Sequence, residues 1–224
     1  MKSEMPKAPD DAGLSEAARV GFVGDVAKLA GGTVFAQALG IVAIPVLARL
    51  YGPDAFGAAA VFASIAGILG VVACFRYELA ILLPKEDGDA ANVLGVSLIA
   101  TVATTLVCAA IVPIGPQTIA RRLGVPELAA YLWLMPPVVL LGGIFQALNY
   151  WNTRTRMYGR LASVRALQST AANGSQIAMG IVGFSCAGGL IWGFVFGTVV
   201  AAVVLAHQVW RDDASLFRRS VTWT

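Results

Sequence analysis

Apolar and polar positions alternate along this chain on the scale of whole helices. Six mostly apolar runs, at about 28–50, 55–83, 90–112, 128–151, 163–184 and 188–209, are separated by short polar segments. A helix rises about 1.5 Å per residue, so some 20 apolar residues cross a hydrocarbon core of about 30 Å. The pattern predicts an all-α polytopic membrane protein, a six-helix bundle over residues 28–210. A polar N-terminal tail (1–27) and a short C-terminal tail (211–224) flank it. The first tail mixes both charge signs and lacks the apolar core of a cleavable signal. It reads as disordered, with a short surface helix from about Ser15.

The spans differ in texture. In the first, Gly32, Ala36 and Gly40 recur four apart, a spacing that lets another helix approach closely; Gln37 is its one strongly polar residue. Gly52-Pro53-Asp54 is turn chemistry. The second run continues almost wholly apolar to Leu83, interrupted only by Arg76-Tyr77-Glu78. As one continuous helix it puts Arg76 roughly 30 Å from Phe56, at the far interface. In the fourth, Pro136-Pro137 followed by Gly142-Gly143 predicts a kinked or interrupted helix. The fifth is the least apolar: Arg165, Ser169, Asn173 and Gln176 share one face, flanked by Gln168 and Ser175. A stripe that polar faces protein or a water-filled cavity rather than lipid. The sixth carries Gly189, Gly193 and Gly197, a packing row.

Composition agrees. The chain is 58% hydrophobic and 13% charged, against about 45–50% and about 25% in soluble domains. Placement of charge says more than its total. Lys2, Lys7, Arg19, Lys28, Lys85, Arg154, Arg156, Arg160, Arg165, Arg211, Arg218 and Arg219 fall on one side of the six spans, and Arg49, Arg121 and Arg122 on the other. The positive-inside rule then puts both termini in the cytoplasm, the turn at Gly52–Asp54 outside, and Arg76 and Glu78 at the cytoplasmic end. Cys74, Cys108 and Cys186 lie in apolar runs with neither disulfide nor metal spacing. His207 ends the last run without an acid in its helix.

The stretch from Pro45 to Lys85 and on to Asn92 carries a resemblance. Pro45, Arg49, Leu50, Tyr51, Pro53, Phe56 and Gly57 form one motif; Arg76-Tyr77-Glu78, Pro84, Lys85 and Asn92 form another, in order. Together they resemble the N-terminal region of the bacterial O-antigen and capsule-repeat flippases, in the superfamily of the multidrug and lipid II exporters. The likeness is best over residues 26–97 and continues as helix rhythm to about 210. It implies an inner-membrane protein that moves an undecaprenyl-diphosphate-linked oligosaccharide outward by alternating access. Family members have about twice as many spans, so the resemblance implies a half-size unit that works with a second half-bundle or as a homodimer, or a fragment.

On that reading Arg76 and Glu78 line a substrate cavity or, alternatively, form an interfacial anchor beside a solvated acid. Gln37, Arg165, Ser169, Asn173 and Gln176 are cavity-wall candidates, or a polar seam between helices. Arg154, Arg156 and Arg160 form a basic patch, either an entry point for an anionic lipid-linked substrate or a topology signal touching lipid headgroups. No nucleotide-binding, hydrolase or metalloprotease motif occurs, so neither enzyme nor cofactor is expected. The basic residues track topology and make no nucleic-acid patch. The expected partners are lipid-linked oligosaccharide and membrane lipids. Two alternatives stand: a non-transporting truncated or structural partner in a polysaccharide-assembly complex, and a small-molecule exporter. An acid inside the first span would mark the exporter, and Asp25 precedes that span.

Overall fold

The computed structural model describes residues 11–220, with side chains over residues 30–212. Among them the chain forms helices and no strand. The long helices are α1 (Asp11–Leu50), α2 (Pro53–Ala73), α4 (Asp87–Ile111), α6 (Met135–Arg154), α7 (Tyr158–Ile181) and α8 (Ala187–Ser220). Two short ones, α3 (Tyr77–Ala80) and α5 (Pro116–Arg122), lie in the connections. The expected N-terminal tail lies outside the described residues only up to residue 10; from Asp11 onward α1 is unbroken, with no separate surface helix.

Among the described residues, five segments are long and apolar enough to cross a membrane: Ala30–Leu50, Pro53–Ala73, Asp87–Ile114, Leu132–Arg154 and Ala187–Asp212. Helix α7 has the length but not the composition. Its placement follows from its neighbours. Arg165 meets Thr33, Ser169 meets Ala36, and Gly180 meets Leu50, so α7 runs parallel to α1 over the whole of that span. From Ala162 to Gly180 it rises about 27 Å. Large apolar side chains on α1, among them Val34, Phe35, Ile41 and Val42, are exposed. Such a surface belongs in lipid rather than water.

Helices α6 and α8 form the centre. One apolar cluster joins Tyr51, Phe62, Leu128, Met135 and Ile191; another, at the opposite end, joins Cys74, Ile81, Trp151, Leu161 and Leu205. Close approach depends on glycine. A Cβ at Gly197 would stand 2.7 Å from the Cβ of Ala172, and one at Gly193 3.1 Å from the carbonyl of Ala172. The expected glycine row is thus a packing face, with Gly193 and Gly197 against α7 and Gly189 against Tyr51. In α1 the row is used at Gly32, against Ala162, whereas Gly40 faces open space. Gly197→Leu should therefore lower the unfolding temperature of the purified protein, since forcing a side chain into a filled contact costs about 1–3 kcal/mol. Gly40→Leu should leave it unchanged, and equal effects would contradict this packing.

Two expected helices are built differently. The run 55–83 is not one helix. Helix α2 stops at Ala73, and Phe75 and Arg76 take left-handed backbone with φ of 48° and 63°. Twenty-one residues already rise about 31 Å, enough to cross the hydrocarbon, so the remaining apolar residues turn aside. The Cys74 thiol anchors that turn, 3.3 Å from Thr101 Oγ1 and 3.4 Å from the Gly143 carbonyl oxygen. In the fourth run, Pro136-Pro137 begins α6 and does not kink it. Proline fits a first turn because its missing N–H has no helical partner there. Residues 126–130 and 132–134 form separate 3-10 turns before it.

Candidate functional site

The polar side chains of α1 and α7 meet in a groove of about 350 Å³. Arg165, Ser169 and Asn173 line it from α7, Thr33 and Gln37 from α1, and Phe145 from α6. Arg165 Nη1 donates to Thr33 Oγ1 at 3.2 Å. Ser169 Oγ donates to the Ala36 carbonyl at 2.9 Å, and Asn173 Nδ2 to the Ser169 carbonyl at 2.9 Å and its Oγ at 3.1 Å. Gln37 is exposed beside them. Four of the expected cavity residues therefore come together. Thr33, one turn before Gln37, and Gln168, on the flank of the stripe, complete the lining.

Gln176 leaves the groove. Its Nε2 donates to the Leu190 carbonyl of α8 at 3.0 Å, across the space that Gly193 keeps open. At this same level Tyr51 Oη donates to the Gln176 carbonyl at 2.7 Å and fastens the turn after α1 to α7. Burial, with the nearby Cys186 thiol adding to it, pushes the Tyr51 phenol up from its ordinary value, so the hydroxyl keeps the proton it donates. Cys186 itself is exposed, in the turn between α7 and α8, unlike the buried Cys74 and Cys108.

Arg76 and Glu78 take no part in the groove. Arg76 is exposed at the start of α3. Glu78 is 0% exposed, and neither carboxylate oxygen has a hydrogen-bond partner among the described residues. This corrects the expectation of a solvated acid. The left-handed turn at residues 75–76 directs α3 back into the bundle, against α4 and α6, and carries Glu78 inside. The buried side chains of Ser97, Thr101 and Asn152 are satisfied along their own helices, by the carbonyls of Val93, Ser97 and Leu148, whereas Asn149 Oδ1 and Gln208 Oε1 share with Glu78 the lack of a partner among the described residues.

The basic patch is split. Arg154 binds Asp87 at 3.0 Å and the carbonyls of Ile81 at 3.2 Å and Pro84 at 2.6 Å. Arg160 pairs with Asp212 at 2.6 Å. Arg156 is exposed, with a left-handed φ of 56°. These contacts gather Lys85, Arg154, Arg156, Arg160 and Arg211 at one end of the bundle, with Arg76 near them. Asp87 escaped notice as a partner because it lies 67 residues from Arg154; its one sequence signal is its place in a charged loop on the same expected side.

No group of three or more potential metal ligands occurs among the described residues. The family model described as polysaccharide biosynthesis protein matches residues 46–221. No curated protein and no solved structure matches the chain.

Proposed function

We propose, from the premise that this chain belongs to the polysaccharide biosynthesis protein family, that it moves a lipid-linked oligosaccharide across the membrane it spans. The α1–α7 groove carries this reading. It places an arginine, a serine and two amides beside α1, whose other side chains are those of a membrane span. Polar groups at that depth are costly unless they face protein or water. Hydroxyls and amides suit sugar hydroxyls, and a guanidinium suits a phosphate. The basic end then faces the cytoplasm of a bacterial inner membrane, in keeping with the positive-inside rule. Helix α7 counts as the sixth crossing, and the groove is completed by a second bundle or a second copy. Arg76 and Arg156, exposed at the basic end, are the first cations a substrate meets.

A second reading has its own observation. Ser169 and Gln176 already bond to carbonyls of neighbouring helices, as in a structural seam. Liposomes containing the protein and a fluorescent polyprenyl-diphosphate oligosaccharide separate the two. Transport predicts that Gln37→Leu combined with Asn173→Leu slows translocation at least about tenfold, the equivalent of one or two lost hydrogen bonds. Unchanged translocation with a lowered unfolding temperature would leave only the seam.

A further inference from the structure

A polar pocket opens at the basic end between the loop after α3 and the last turn of α6. Asp87, Thr153, Arg154, Thr155 and Tyr158 line it, with Leu82 on the rim, around about 580 Å³. Its guanidinium is largely buried, its Asp87 partner mostly exposed. Arg154 is also what holds the loop. Its Nη1 takes the carbonyls of Ile81 and Pro84, while its Nη2 and Nε take Asp87. The segment so held is under tension. Phe75 and Arg76 occupy a backbone region that L-residues disfavour, and Glu78 is buried with both oxygens unpartnered among the described residues.

We propose that this pocket receives the diphosphate of a membrane lipid, which takes Arg154 from Asp87 and thereby unlocks residues 74–86. The proposal rests on the transport reading and names the step by which substrate opens the basic end. A diphosphate competes well for Arg154 because it offers more acceptor oxygens and more charge than one carboxylate. Tyr158 supplies a hydroxyl donor beside it, while the Thr153 and Thr155 hydroxyls, which donate here to the carbonyls of Asn149 and Trp151, must turn from their own helix to reach it. Once Arg154 turns to the lipid, the carbonyls of Ile81 and Pro84 lose their donor. The left-handed turn and the unpartnered Glu78 then favour release, which uncovers Cys74.

Cys74 is the reporter. The full chain with Cys108→Ser and Cys186→Ser is placed in phosphatidylcholine liposomes, with or without a polyprenyl diphosphate, and labelled with a maleimide. The lipid should speed labelling of Cys74 about tenfold, roughly what one charge-assisted contact is worth as an equilibrium constant. Asp87→Asn should label fast without the lipid. Arg154→Gln should label fast and show no response to it. Phe75→Gly, which relieves the left-handed strain, should label more slowly. In parallel versions that carry Cys108 in place of Cys74, Cys108 should stay protected throughout, which excludes general unfolding.

Lipid without effect on Cys74, where Asp87→Asn labels fast, would overturn the proposal. So would a lipid response that survives Arg154→Gln, or exposure of Cys108 alongside Cys74. Equal acceleration by inorganic pyrophosphate would overturn the lipid and leave a soluble-anion site. Translocation measured in the same liposomes keeps the two readings apart: translocation with an unresponsive Cys74 removes the latch alone, and a responsive Cys74 without translocation removes the transport reading.

Discussion

Arg165→Glu should abolish surface polysaccharide in cells that depend on this protein, while the amount inserted in the membrane stays normal. Arg165 lines the α1–α7 groove and is held in place by Thr33 at 3.2 Å. Reversing its charge removes the one cation that lines the groove among the described residues, and it would face an incoming diphosphate with a carboxylate. A single charge-assisted contact is worth about 1.5–3 kcal/mol, about tenfold or more in rate if it is made during transport. Repulsion adds to this. Arg165→Lys should retain part of the activity, because a lysine keeps the charge but not the planar fork. Thr33→Val should be milder than either, since it removes a positioning bond and leaves the guanidinium in place. Normal surface display with Arg165→Glu would mean that the groove does not meet the substrate's phosphate.

The second large effect is a gain in stability. Glu78→Met should raise the unfolding temperature of the purified protein by several degrees. Glu78 lies among Cys74, Ile81 and the apolar side chains of α4 and α6, fully buried, with no hydrogen bond to its carboxylate among the described residues. An unsatisfied buried polar group costs about 1–3 kcal/mol, and more when charged. Methionine keeps the length and removes the polar atoms. Glu78→Gln should gain less, because its amide has the same lack of partners. The opening of residues 74–86 should become rarer in Glu78→Met, so transport should fall as stability rises. A drop in unfolding temperature with Glu78→Met would show that the carboxylate has a partner in the membrane that stabilises it.

Apolar run length determined the all-α membrane class, since only helices satisfy their own backbone inside lipid over such lengths. The placement of arginine and lysine fixed which loops share an end, and the ion pairs Arg154–Asp87 and Arg160–Asp212 join residues that the sequence had put on one side. Recurrence at three and four residues was enough to put Arg165, Ser169 and Asn173 on one face, because helical periodicity is a local property. The glycine row of α8 was legible for the same reason.

Tertiary structure alone decided the rest. The segment from Cys74 to Leu83 is apolar apart from Arg76-Tyr77-Glu78, with no glycine or proline to stop a helix. It turns because α2 has already crossed and because Thr101 and Gly143, from other helices, hold the Cys74 thiol. The burial of Glu78 follows from that turn, so no local pattern announces it. Gln176 sits on the expected stripe, yet its long side chain crosses Gly193 to a carbonyl of α8, a choice set by which helix is the nearer neighbour. Arg154 reads as a free surface cation until the loop 67 residues earlier folds beneath it. In each case the deciding contact comes from a residue distant in sequence, and local periodicity contains no information about which distant residue will be brought near.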